Sequence, residues 1–301
     1  MTAVLVTGGS SGIGLAAALR FAARGDRVAL LSRSPQALAA AAQQCRAAGA
    51  AEVLELPADA ADQAQVEAAV SAVVDAFGGL DVCVHAAAVA AYGRLDDVPA
   101  EVFDRVVDIN IKGTAHVARA VLRHFRGRGE GTLILIGSVV GRIATPYMSA
   151  YGVTKWAIRS LARTLHLEAS DLPGVHVCEV WPGSVNTPVY EQSASYAGRG
   201  GRPPPPVLQP DRVAAVIVRV ADRPRPRAGV GWTNPVMMFG FSALPGVYDR
   251  LVGPLMARLG LSRPSVAPTT GNVLSPRPEA EQVQGPWLGP LGRRRRTPKE
   301  S

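Results

Sequence analysis

Short, mainly apolar runs along this chain alternate with longer stretches in which apolar residues recur every three or four positions. The runs fall near 3–7, 27–31, 52–56, 81–85, 131–137 and 175–181. Apolar residues concentrated over so few positions predict strands, the most continuous of them covered on both faces. Between them, alanine-rich stretches around 13–24, 35–48, 62–77, 100–125 and 151–170 read as helices. Asp211–Ala221, after Pro210, predicts another helix with an acid near its start, and Arg227–Trp232 a last strand. Alternation of this kind predicts an α/β fold, a doubly wound parallel sheet with helices on both faces. Ligand then belongs at the carboxyl ends of the strands, where the strand order reverses.

The first strand, Ala3–Thr7, runs directly into Gly8-Gly9-Ser10-Ser11-Gly12-Ile13-Gly14 and then into a helical stretch. Strand, glycine turn and helix are the context that makes a glycine pattern a dinucleotide site. Gly8 suits the tight turn, Gly12 lets backbone approach a pyrophosphate, and Gly14 permits close helix–strand packing. Ser10, Ser11 and Ile13 complete the cradle, and the helix N-terminus offers free N–H groups and a favourable dipole to phosphate.

Tyr151 and Lys155 stand four residues apart in a predicted helix, and Ser138 lies thirteen residues upstream of the tyrosine. Positions i and i+4 share a helix face, so both side chains reach the same place. An ammonium beside a phenol favours the phenolate and predicts a lowered tyrosine pKa. Proton transfer near neutral pH asks for about 3–4 kcal/mol of such stabilisation. Ser138 would hydrogen-bond the oxygen of a reacting carbonyl. Ser138 and Pro182 each follow a strand and so fall on the carboxyl edge of the sheet.

With these motifs in order, the chain resembles the short-chain dehydrogenase/reductase family over about residues 1–235. Thr7-Gly8-x-x-x-Gly12-x-Gly14 matches its cofactor motif, and the family fold implies a Rossmann-like sheet in a single domain. The resemblance makes Asp59, with Ala60, the contact to adenine and Asn110 the catalytic asparagine beside Ser138, Tyr151 and Lys155. Pro182-Gly183-Ser184-Val185-Asn186-Thr187 matches the segment that closes over nicotinamide, with Pro182, Gly183, Val185 and Thr187 as contacts. The chain departs from the pattern at His85-Ala86-Ala87-Ala88, where the family usually carries Asn-Asn-Ala-Gly. Ala87 and Ala88 still offer backbone to the cofactor. His85 reads as a buried, hydrogen-bonded imidazole, since one tautomer both donates and accepts as an amide does.

NAD-specific members usually place an acid at the end of the second strand, whereas this chain has Ser32 followed by Arg33. Arg33 suits charge-assisted bonds to a 2′-phosphate, so the resemblance implies NADP(H) in preference to NAD(H). The implied reaction is hydride exchange between nicotinamide and a carbonyl or secondary alcohol, with Tyr151 moving the proton. Lys155 would also bond the nicotinamide ribose, and Asn110 would hold a water linking Lys155 to solvent. A cofactor sensor or scaffold without turnover and an epimerase remain open as alternatives. The intact set Asn110, Ser138, Tyr151 and Lys155 favours turnover.

The substrate wall is expected from Ala88–Leu95, Val139–Met148 and the loop after Thr187, which bring Tyr92, Val140, Ile143, Tyr147, Met148 and Tyr190. No arginine pair marks a phosphate or dicarboxylate, so a hydrophobic small molecule is expected. The proline-rich stretch Ala197–Pro206 reads as a lid or a connector. Val230–Tyr248 carries no charge, yet Pro235, Pro245 and several glycines argue against a spanning helix. Residues 236–263 therefore read as a substrate flap, a subunit contact or a membrane-surface patch.

Residues 264–301 are rich in proline, glycine and charge, and read as a tail without a core. Net charge is +8, half of it from Arg293–Arg296, so no nucleic-acid partner is inferred. Cys45, Cys83 and Cys178 lack metal-like spacing and suit buried thiols in a reducing compartment. With no charged-then-apolar leader before the first strand, the expectation is a cytoplasmic protein without metal. The helices around 100–125 and 151–170 resemble those that pair family members into dimers or tetramers.

Overall fold

A computed structural model describes residues 1–294. Seven parallel strands form the central sheet: β1 (Ala3–Thr7), β2 (Arg27–Ser32), β3 (Glu52–Pro57), β4 (Val82–His85), β5 (Gly131–Ile136), β6 (Val175–Pro182) and β7 (Arg227–Val230). Their order across the sheet is β7-β6-β5-β4-β1-β2-β3. The direction of winding reverses between β1 and β4, where Val4 pairs with Val82 and Thr7 with His85. A crevice must open at the carboxyl ends of those two strands, because the chain leaves them toward opposite sides.

Strand residues alternate between two cores, as the pleat requires. Val4, Val6, Val28 and Leu30 pack with helices α1 (Gly12–Ala22) and α2 (Pro35–Ala47) on one face. Ala3, Leu5, Ala29 and Leu31 pack with α3 (Gln63–Phe77) on the other, where further helices complete the layer. Caps mark where helices begin and end. Ser34 and Asp62 accept from the N–H groups of Ala37 and Gln65 at 3.2 and 3.0 Å, and Gly78 closes α3 at φ +70°.

The predicted helix over 100–125 is interrupted. It divides into α4 (Ala100–Val107), a wide π-helical turn at Asp108–Lys112, and α5 (Gly113–Arg128). Asn110 sits in that turn, its side chain bonded outside the helix, and widening of this kind re-aims a side chain that a regular turn would misplace. The next helix, α6 (Ser149–Glu168), carries Tyr151 and Lys155. A single turn, α7 (Val189–Gln192), precedes the long α8 (Pro210–Asp222), which covers the same face as α1.

One expectation about the C-terminal third is refined and another is corrected. The charge-free stretch forms a helical hairpin, α9 (Asn234–Ala243) and α10 (Pro245–Leu255), broken at Leu244–Pro245 because proline cannot continue the ladder. Among the described residues no helix is long and apolar enough to cross a membrane. Residues 264–301 were expected to be a coreless tail, but the chain from Val266 to Trp287 packs back on the domain. Val273 and Trp287 are buried, and Thr269 exchanges backbone bonds of 3.0 and 2.9 Å with Ser195. Apolar residues spaced far apart between prolines do this by adding singly to cores built elsewhere. Of the basic run, Arg293 and Arg294 pair with Trp287 and Leu288 as a short antiparallel ladder, and Arg295 and Arg296 lie outside the described residues.

Candidate active site

The glycine turn opens a cleft of about 560 Å³ that runs from Ser32 and Arg33 at the end of β2 to Tyr151 on α6. Gly8 adopts φ +68° and presses on the backbone after β4, where a Cβ would stand 2.7 Å from the Ala87 nitrogen. A side chain at Gly14 would run into the Gly8 carbonyl, so both positions demand glycine. Gly12 adopts φ +56° and faces Thr187 across the cleft. Ser10, Ser11, Ile13, Asp59, Ala60, Ala87, Ala88, Pro182, Gly183, Val185 and Thr187 all line it. The cradle fits a dinucleotide: a glycine-rich backbone turn at a helix N-terminus, with the buried Ser32 hydroxyl left without a protein partner.

His85 is neutral. Burial drives its pKa down to about 3, with the Lys155 charge adding to the effect. Its Nδ1 and Nε2 lie 2.7 and 2.9 Å from the hydroxyls of Thr7 and Thr114. Thr114 donates its own proton to the Asn110 carbonyl at 2.5 Å. It therefore accepts from His85 Nε2–H, and Thr7 donates to Nδ1. The imidazole thus ties β1 and β4 to α5, which is the role of a structural brace.

Asp59 is more engaged than expected. Its carboxylate forms an ion pair with Arg105 on α4 and accepts from the Ala61 N–H at 2.9 Å. Arg105, missed in the sequence, lies 46 residues away, with no local pattern to pair it with the acid.

At the far end, Ser138 caps the turn after β5, its hydroxyl accepting from the Val140 N–H at 3.2 Å, and it hydrogen-bonds the Tyr151 phenol. The expected lowering of the tyrosine pKa is reversed. Burial pushes the phenol up to about 12 against the opposing Ser138 bond. Lys155 sits with Nζ 5.4 Å from the tyrosine ring centroid and donates to the Ile136 carbonyl at 2.9 Å. Desolvation brings this lysine down to about 8, with the nearby Glu179 pulling the other way. A neutral phenol and a readily discharged ammonium form the resting pair.

Asn110 sits in the π-helical turn with its side chain bonded to protein on two sides. Its Oδ1 accepts from the Val89 N–H at 2.9 Å, and its Nδ2 donates to the Val89 carbonyl and the Thr154 hydroxyl at 2.9 and 3.0 Å. The amide thus joins α6 to the chain after β4.

Behind Lys155 lies a feature the motif reading passed over. Arg142 and Glu179 form a bidentate pair at 2.9 and 2.5 Å, buried on both sides, with the guanidinium stacked 4.2 Å over Trp181. The sequence did carry a signal: Glu179 is a lone acid inside the apolar run of β6. A buried carboxylate must find a partner.

Of the expected substrate wall, Tyr92, Val140, Ile143, Met148 and Tyr190 line the cleft. Tyr147 does not. It takes φ +66° and packs in the neighbouring cluster around Tyr92, Met148 and Met256. The opposite wall comes from the helical hairpin, through Val236, Met237, Leu244, Val247, Leu251 and Leu255, with Pro204–Pro206 beside it. The hairpin is pinned by Tyr248, whose hydroxyl donates to the Ala144 carbonyl at 2.7 Å, and by Phe241 between Tyr248 and Trp156. Among the described residues no group of three or more His, Cys, Asp or Glu is placed to hold a metal ion.

A family model described as short chain dehydrogenase matches residues 2–197. Over 188 residues the chain is 39% identical to 2-(R)-hydroxypropyl-CoM dehydrogenase of Xanthobacter autotrophicus, covering 62% of this chain and 75% of that protein. Over 189 residues it is 33% identical to D-beta-hydroxybutyrate dehydrogenase of Rhizobium meliloti, covering 62% and 73%. A solved alcohol dehydrogenase from Thermococcus sibiricus complexed with 5-hydroxy-NADP superposes with a TM-score of 0.67 at 28% identity, covering 76% of this chain and 96% of that one. A short chain dehydrogenase from Mycobacterium paratuberculosis bound to NAD gives 0.67 at 26% identity, with the same coverage.

Proposed function

The chain belongs to the short chain dehydrogenase family, enzymes acting on CH–OH and C=O groups with a nicotinamide cofactor, and from that premise we propose that it is an NADP(H)-dependent oxidoreductase for a hydrophobic carbonyl or secondary alcohol. The observation that carries this reading is the meeting of Ser138, Tyr151 and Lys155 with the glycine turn in one cleft. When bound, the nicotinamide supplies or takes the hydride. The residues manage the oxygen and its proton. Ser138 and Tyr151 hold the carbonyl oxygen between two hydroxyl groups. The phenol, neutral with a pKa of about 12, gives its proton to the developing alkoxide. Lys155 stabilises the phenolate left behind, and Asn110 is a positioning residue that fixes α6 against the cleft.

Arg33 and Ser32 at the end of β2 support the phosphorylated cofactor, because no acid on that strand opposes a 2′-phosphate. Arg33→Ala is expected to weaken NADPH binding about 10- to 100-fold, the range of a charge-assisted hydrogen bond of roughly 1.5–3 kcal/mol, with NADH little changed. Titrations with both cofactors decide it. Unchanged NADPH affinity, or equal kcat/KM with NADH in the parent enzyme, sinks the NADP(H) assignment.

The hairpin wall supports a hydrophobic substrate, as a flap over the substrate end. A panel of ketones, aldehydes and secondary alcohols of rising chain length, followed by NADPH absorbance, tests this. The expected result is kcat/KM rising about fourfold per added methylene, at about 0.8 kcal/mol of burial for each. A flat series, or best activity on phosphorylated or dicarboxylic compounds, removes the substrate class. Association through the helices α4–α5 and α6 into a dimer or tetramer belongs to the same reading and is measured by sedimentation.

A further inference from the structure

Residues 266–287 form a strap across the mouth of the cofactor cleft, beyond the stretch matched by the family model. It is tied to three separate parts of the rim. The Asn272 and Val273 carbonyls accept from the Arg33 guanidinium at 2.5 and 3.1 Å. The Gln282 carbonyl accepts from the Gly12 N–H at 2.9 Å and from the Ser11 hydroxyl at 3.3 Å. On the far rim, the Gly285 N–H donates to the Asn186 carbonyl at 3.2 Å and the Trp287 N–H to Asn186 Oδ1 at 3.1 Å.

Between the first two ties the strap inserts Glu281. Its carboxylate accepts a hydrogen bond from Ser10 in the glycine turn, and it lies close enough to Arg33 for mutual attraction. Glu281 lines the same cleft as the glycine turn and Tyr151. A carboxylate thus bonds a hydroxyl of the phosphate-binding turn and acts at longer range on the arginine at the end of β2, whose guanidinium is itself held by the strap's Asn272 and Val273 carbonyls. The end of β2 is the position where a ribose 2′-phosphate meets its arginine in a fold of this kind.

We propose that Glu281 is a cofactor-selecting residue: its carboxylate occupies the 2′-phosphate subsite and competes with that phosphate for Arg33 and Ser10. The inference rests on the reading that Arg33 receives a 2′-phosphate. Two anions cannot share one guanidinium and one hydroxyl without repulsion, so the phosphorylated cofactor binds to the fraction of molecules in which Glu281 has withdrawn. The apparent affinity is reduced by that fraction. A cofactor with a plain ribose carries no such charge and escapes this repulsion, while the Gln282 carbonyl on the Gly12 N–H opposes both cofactors alike. Glu281 therefore narrows a preference that Arg33 alone would make steep.

Dissociation constants for NADPH and NADH are to be measured on the full chain, on Glu281→Gln, on Arg33→Ala and on the double variant. Glu281→Gln keeps the shape and removes the charge. It is expected to tighten NADPH about tenfold and to leave NADH within about twofold. In the Arg33→Ala background the gain should shrink to near nothing, since the contested cation is gone. Glu281→Asp, one methylene shorter, should fall between wild type and Gln. Unchanged NADPH affinity in Glu281→Gln overturns the proposal. So does weaker NADH binding in that variant, which would make the carboxylate a ligand for ribose hydroxyls. Should Arg33→Ala leave NADPH affinity intact, the underlying NADP(H) reading fails, and that result is separate from any effect at Glu281.

Discussion

Tyr151→Phe is expected to lower kcat for carbonyl reduction by about 10³-fold, within the usual range for loss of a general acid. The reasoning follows from the state of the phenol. Burial holds it neutral with a pKa of about 12, so at neutral pH it carries the proton the alkoxide needs. Phenylalanine keeps the ring on α6 and its packing while removing only the hydroxyl. Cofactor affinity and melting temperature should therefore stay close to wild type, and the loss should appear in kcat. Stopped-flow turnover together with a cofactor titration separates these quantities. Retention of most of the turnover would remove Tyr151 from the chemistry.

The pH profile of the parent enzyme carries a related expectation. Lys155, lowered to about 8, is cationic below that pH and loses its charge above it. Its ammonium stabilises the phenolate formed as the proton leaves, so reduction should run on a plateau in mild acid and decline as pH rises through about 8. The phenol itself does not discharge until about 12 and so cannot produce that limb. A profile flat from pH 7 to 10 contradicts the assignment.

Glu179→Gln should cost the fold roughly 3–5 kcal/mol, the usual penalty for leaving one member of a buried ion pair without its partner. Arg142 would remain buried, stacked on Trp181, and facing an amide that offers one acceptor where two oxygens stood. The same change removes the carboxylate that raises the Lys155 pKa, so the alkaline limb of activity should move to lower pH. Urea unfolding reads the first effect and the pH profile the second. Replacing both members by apolar residues of similar volume should recover much of the stability, which a general packing defect would not do. A midpoint unchanged in Glu179→Gln would show that the pair contributes nothing to the fold.

What was legible in the sequence was local. Ala3–Thr7 running into the glycine turn, and Tyr151 standing one helical turn from Lys155, are relations within a few residues, set by strand and helix periodicity. The order and type of the seven main strands follow from the same periodicity. Over 100–125 the helix was legible but the π turn inside it was not, because Asn110 at that turn bonds Val89, 21 residues earlier. The tyrosine pKa was misjudged for a similar reason. Adjacency on a helix predicts a charge nearby, but desolvation depends on how many apolar groups from other segments surround the phenol.

Sequence pattern thus carried the parallel sheet, the glycine turn and the Tyr151–Lys155 pair proposed to move the proton, since each is written in short-range spacing. Folding in three dimensions decided the rest: that Glu179 and Arg142 meet behind Lys155, that an apolar hairpin lines the same cleft as Tyr151, and that Glu281 reaches Ser10 across 271 positions of sequence. Such contacts leave no periodic trace. They depend on where the sheet brings distant loops together, and a proline-rich segment with a few apolar anchors reveals its place only against the surface that receives it.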